Sequence, residues 1–177
     1  TSRVTTMSEM FRGARVFNHS LNDWDVSRVT SMYYMLHFAE DFDQPLNQWD
    51  VSKVTNMKFM FADAERFNQP LSNWDVSRVG DIGAMFNGAD LFNQNISAWN
   101  VSRVLSLAQT FSRAGAFNQP LNNWDVSRVG AMWQAFADAF DFNQDLNNWD
   151  TSRVADMHEV FLSAHAFNGD VGDWDVS

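Results

Sequence analysis

The sequence predicts an α/β repeat solenoid: a curved array of about seven 25-residue coils, each with one short parallel strand and one short helix. Three observations predict it. Trp stands at 24, 49, 74, 99, 124, 149 and 174, and Phe17, Phe42, Phe67, Phe92, Phe117, Phe142 and Phe167 keep the same interval of 25. Val4, Val29, Val54, Val79, Val104, Val129 and Val154 keep it too, and no insertion or deletion breaks the register, so residues 1–177 read as a single array. Inside each interval the apolar spacing changes from tight to three-and-four, as a strand followed by a helix requires.

The strand comes first. Leu46, Trp49 and Val51 place β-prone apolar residues at spacings of three and two. Ser52 follows as the N-cap of the helix, its hydroxyl accepting a free backbone N–H. Val54, Met57, Met60, Phe61 and Ala64 then recur at three- and four-residue steps, one face of a helix. Phe67-Asn68-Gln69-Pro70 closes the coil as a turn, Pro ending any helix. Helix axes pack ~10 Å apart and strands ~4.8 Å apart, so the stack is expected to curve with strands inside. A parallel β-helix is the competing solenoid; the helical spacing and the Ala/Met usage count against it.

Composition bounds the function. The chain has 12 basic and 22 acidic residues, a net charge of −10, no Cys, 8 Trp, 16 Phe and 2 Tyr. Zero Cys removes disulfides, thiolate chemistry and cysteine zinc sites. The acidic balance argues against nucleic acid, whose phosphates need clustered Lys and Arg. No apolar run reaches the length of a membrane-spanning helix, so no membrane insertion by this segment is expected. The aromatic excess reads as core: burying a Trp removes on the order of 150–250 Å² from water.

The remaining columns divide into structural and candidate functional positions. The ladder Trp24, Trp49, Trp74, Trp99, Trp124, Trp149 and Trp174 is expected inside. Asn18, Asn68, Asn93, Asn118, Asn143 and Asn168, with Asp43 in the missing place, are expected to bond the backbone of their own coil and the next. Gln44, Gln69, Gln94, Gln119 and Gln144 form a second amide column beside them. Asp25, Asp50, Asp75, Asp125, Asp150 and Asp175, interrupted by Asn100, form an acidic strip on the concave face, answered by Arg3, Arg28, Lys53, Arg78, Arg103, Arg128 and Arg153 as a salt-bridge ladder. Tyr34, Phe38, Phe59 and Trp133 fall off or at the edge of the helical core arc and form the candidate partner surface. His19, His37, His158 and His165 occupy four different places in the repeat, so no ladder of metal ligands arises. No phosphate loop, nucleophile elbow or H-E-x-x-H pattern occurs. No catalytic, cofactor-binding or metal-ligating residue and no cofactor is expected.

The pattern L-x-x-W-x-V-S-x-V-x-x-M-x-x-M-F-x-x-A-x-x-F-N-Q-P, as in Phe117-Asn118-Gln119-Pro120-Leu121-Asn122-Asn123-Trp124-Asp125-Val126-Ser127, resembles the BspA-like leucine-rich repeat. It is similar, more closely, to the roughly 25-residue repeat of bacterial surface proteins and lipoproteins, a family of unknown function. The resemblance implies a cell-surface or secreted array acting in adhesion or protein binding, with no catalytic residues.

The leading expectation is therefore a non-enzymatic interaction or adhesion scaffold with a protein partner. The alternatives are a self-assembling structural element that packs against copies of itself, and glycan or Ca²⁺ binding along the acidic strip. Neither end carries a polar cap, which reads as a fragment of a longer protein.

Overall fold

A computed structural model describes residues 3–177. Seven coils follow one another: 3–27, 28–52, 53–77, 78–102, 103–127, 128–152 and 153–177. Backbone bonding in the stretch expected to be helical does not stay within the stretch. The N–H groups of Met32, Tyr34, Leu36 and Phe38 donate to the carbonyls of Asn56, Lys58, Met60 and Ala62, each 24 residues on. The intervening N–H groups of Met35, His37 and Ala39 return only three residues, to Met32, Tyr34 and Leu36. An α-helix needs every N–H to return four residues within its own segment. Four of these seven donors leave the coil instead.

Among the described residues there is no helix. Extended pairing is limited to isolated parallel bridges, joining Thr6, Ser31, Asn56 and Asp81 in one series and Ser106, Ala131 and Asp156 in another. This overturns the predicted α/β solenoid with a strand and a helix in every coil. The expected strand at 46–51 is also a turn, with Trp49 N–H returning to Leu46 O, and a second turn follows from Val51 to Val54. Ser52 caps no helix; its N–H donates to Asp50 Oδ1, 3.1 Å away.

The reason for the difference is geometric. Successive turns run 57–60, 59–62, 61–64 and 64–67 in coil 3, so core-facing Met57, Phe61 and Ala64 recur at four and three, as they would on a helix. Linked turns require what a helix forbids, a left-handed residue in the third place of the first and third turns. Positive φ falls on two columns in all seven coils: Glu9, Tyr34, Phe59, Ala84, Gln109, Gln134 and Glu159, then Gly13, Phe38, Asp63, Gly88, Arg113, Asp138 and Ser163. Twelve of these are not glycine, each at about 1–2 kcal/mol of backbone strain. With no helix, the width mismatch that predicted a curved, leucine-rich-repeat-like stack is gone.

Stacked rings offset that strain. Trp49, Trp74, Trp99, Trp124 and Trp149 are buried, neighbouring indoles lie 6.4 Å apart within 5° of parallel from Trp49 to Trp124, and each Nε1 donates to a carbonyl of the coil before, as Trp99 does to Leu71 O at 3.1 Å. Phe42, Phe67, Phe92, Phe117 and Phe142 form a second column at 5.9–6.1 Å. Phe61, Phe86, Phe111 and Phe136 form a third, pressed on the second at 4.0–4.2 Å. Rings at the first and last coils, including Phe17, Trp24, Phe167 and Trp174, are half-buried.

Candidate functional site

Three neighbouring columns of the turn segment change residue at nearly every coil, while the core columns of Trp24, Phe17, Val4 and Ala14 do not change at all. The middle one, lying between the two left-handed positions, runs His37, Ala62, Asn87, Ser112, Ala137 and Leu162. Small residues here leave a floor. Phe59, Gln109 and Gln134 stand on one side and Asp63, Arg113 and Asp138 on the other, around a hollow of about 320 Å³. Because the coils repeat at ~4.8 Å, this groove extends roughly 24 Å along the stack.

Its polar groups are arranged across coils, not within them. Arg113 Nη2 in coil 5 donates to Asp63 Oδ1 in coil 3 at 2.5 Å and to Asn87 Oδ1 in coil 4 at 2.7 Å. Gly88 lies beneath this bridge at φ +66°, and a Cβ there would sit 2.5 Å from Asp63 Oδ1 and 2.9 Å from Arg113 Nη2. Glycine serves both the backbone and the crossing side chain. Asp63 Oδ2 lies 3.6 Å from His37 Nε2. His37 is buried, its Nδ1 has no hydrogen-bond partner, and burial pushes its pKa below the ordinary value of 6.5 against the opposing pull of Asp63. On the other wall Gln109 Nε2 donates to Gln134 Oε1 at 2.8 Å, and Gln134 Nε2 to Glu159 Oε2 at 2.5 Å.

A second hollow of about 590 Å³ adjoins the first, sharing Arg113 and Asp138, and is completed by Asp90, Gly115, Ala116, Phe140 and Asp141. Burial raises the Asp90 carboxyl above its usual range; Arg113 opposes this and Asp63 adds to it.

The predicted partner-surface residues are placed unevenly. Tyr34 and Phe59 stack on each other at 4.4 Å and 6°, with Arg12 over Tyr34 at 4.9 Å and Lys58 over Phe59 at 5.7 Å. Burial raises the Tyr34 pKa. Phe38 is exposed, with the His37 ring 4.1 Å away. What carries Tyr34, Phe38 and Phe59 outward is the left-handed turn residue, not a helical arc. Trp133 stands coils away from them, stacked at 5.6 Å on His158.

The other predicted columns take definite local roles. Asp25, Asp50, Asp75, Asp125, Asp150 and Asp175 each accept, through Oδ1, the N–H of the Ser two residues on, at 3.0–3.1 Å. They close corner turns, and Asn100 does the same for Ser102. Bonds from that Ser hold the carboxyls of Asp50, Asp75 and Asp150 below the usual range. Among the described residues no ion pair joins Asp50, Asp75, Asp125, Asp150 or Asp175 to the basic file, so the expected salt-bridge ladder is not what the file forms. Nor does any group of three or more His, Cys, Asp or Glu among the described residues converge to hold a metal. Asn18, Asn68, Asn93 and Asn118 each accept, through Oδ1, the backbone N–H 25 residues on and a Gln Nε2 26 residues on, at 2.8–3.0 Å. Asp43 does the same for Asn68 and Gln69; Asn143 accepts from Asn168 N–H.

A family model described as Mycoplasma protein of unknown function, DUF285, matches residues 1–99 and again 80–177, which together span the chain. The chain belongs to the DUF285 family. No curated protein and no solved structure matches it. Two overlapping matches fit a repeat protein, and the description carries no leucine-rich repeat. No helix among the described residues is long and apolar enough to cross a membrane. In this DUF285 array sequence reasoning missed His37, Asp63, Asn87 and Arg113 as a group, because they share no single repeat position and a helical wheel scatters them. The available signal was the replacement of residues in two adjacent columns at nearly every coil.

Proposed function

We propose that the chain is a non-enzymatic scaffold that binds a protein partner along the groove of the turn-built face, outside the cell as the surface-repeat resemblance implies. One observation carries the reading. Six core columns repeat almost unchanged, whereas the three columns lining the groove differ at nearly every coil and hold unpaired polar groups. A stack that served only to fill space would have no use for that contrast; a scaffold holding a fixed set of contacts would. The acidic strip supports glycan or Ca²⁺ binding less well, since each Asp commits one oxygen to its own corner turn.

Peptides selected from a displayed random library, titrated into labelled protein, test this. The reading expects amide shifts at Ala62, Asn87, Ser112 and Ala137. Shifts confined to the Asp–Ser corners, or a chain that only sediments as growing oligomers of itself, would contradict it and favour the acidic strip or self-assembly.

A further inference from the structure

The column that follows the groove runs Glu40, Glu65, Asp90, Gly115, Phe140 and His165. Gly115 interrupts it. Phe140 has one face covered by His165, whose ring is stacked at 5.5 Å and 9°. Its other side faces the place of the missing side chain, where a Cβ on Gly115 would lie 3.5 Å from Phe140 Cδ2. Phe140 is nonetheless 48 % exposed, high for a ring this size. Around the gap stand Asp90, Asp138 and Asp141, none of them in an ion pair among the described residues. Arg113, the one Arg or Lys among the described residues lining the hollow, directs Nη2 away to Asp63 and Asn87.

The adjoining groove supplies an independent observation. Ser112 is 5 % exposed and Asn87 9 %; the Ser112 hydroxyl and the Asn87 Nδ2 make no hydrogen bond within the protein, and His37 Nδ1 is buried without a partner. Of the three, only His37 Nδ1 is sealed from solvent, where an unpaired polar atom is costly; the Ser112 hydroxyl and the Asn87 Nδ2 open on the hollow and are free to bond what enters it. All three line the same hollow.

We propose that the slot over Gly115 receives the guanidinium of an arginine on an extended partner segment, whose backbone amides bond Ser112 and Asn87 in the groove. This rests on the groove being the binding face. A planar, weakly hydrated cation stacks on an aromatic face while donating to carboxylates at its edge, which an ammonium does less well. The charge of −10 attracts such a segment from a distance.

N-acetyl-arginine methylamide is the probe, with the lysine analogue and the neutral, isosteric citrulline analogue beside it, followed by amide shifts of the full chain. The arginine probe is expected to shift Gly115, Ala116 and Phe140, the lysine analogue to bind more weakly, and the citrulline analogue to bind more weakly by at least about tenfold. Gly115→Leu fills the slot at ordinary backbone angles and is expected to abolish the response; Asp90→Asn, which leaves packing intact, is expected to weaken it several-fold. Equal binding of the citrulline analogue, unchanged binding to Asp90→Asn, or no response to arginine would overturn the proposal. Library peptides that still shift Asn87 and Ser112 when arginine does nothing would remove the slot and leave the groove reading standing.

Discussion

At the scale of the residue, left-handed turn positions decide more than side-chain chemistry. Ser163 has φ 54° and an exposed side chain with no hydrogen bond. In a helix, Ser→Gly lowers stability by about 0.5 kcal/mol. Here Ser163→Gly is expected to raise it by up to about 1 kcal/mol, and Ser163→Val to lower it by more than that, because a branched Cβ tolerates positive φ least. Urea unfolding of the three proteins reads the sign. His37 provides a second residue-scale prediction. Its folded pKa is lowered below 6.5, chiefly by burial, with Asp63 opposing and Arg12 adding. The unfolded chain therefore binds the proton more readily, and stability is lost as pH falls through 6.5. Urea midpoints measured between about pH 8 and about pH 5 should decline in the native protein and decline less in His37→Gln.

At the scale of the element, the repeated unit is a chain of turns closed by amides. Asn93 Oδ1 holds both Asn118 N–H and Gln119 Nε2. Asn93→Ala is expected to cost about 1–3 kcal/mol, the penalty for leaving two part-buried donors unpaired. Asn93→Asp should cost much less, since Asp43 already fills this place in coil 2 with bonds of 3.0 and 2.8 Å. Thermal unfolding distinguishes them. This is also where legibility in the sequence ends. The register, the Trp and Phe columns and the amide columns could be read from periodicity, because each depends on one residue recurring at one interval. Whether Met57, Phe61 and Ala64 lie on a helix or on linked turns could not, since both place apolar residues three and four apart. What separates the two is the partner of each N–H, which lies 24 residues away and leaves no mark on local spacing. The groove was illegible for the same reason: Arg113 reaches Asp63 across 50 residues only when coils stack without helices.

At the scale of the whole molecule, each coil bonds the next through the same positions, so the array is nearly a one-dimensional sum of coils and interfaces. Removing residues 78–102, one whole coil, is expected to leave a cooperatively folding protein of lower stability, because coil 3 meets coil 5 in register. Removing a few residues fewer is expected to abolish cooperative unfolding, since every ring column and amide column loses alignment. Circular dichroism during urea titration checks both. The in-register deletion also takes Asn87, Gly88 and Asp90 out of the binding face, so such a protein should fold and no longer answer the arginine probe.

The account stands on the claim that the turn segments are held by bonds between coils. Scalar coupling across hydrogen bonds measures this directly at Phe61, whose N–H donates to Met85 O at 2.9 Å. The predicted result is a correlation from the Phe61 amide nitrogen to the Met85 carbonyl carbon. A correlation to the carbonyl of Met57, four residues back, would restore the helix and contradict the fold, the groove and the slot together.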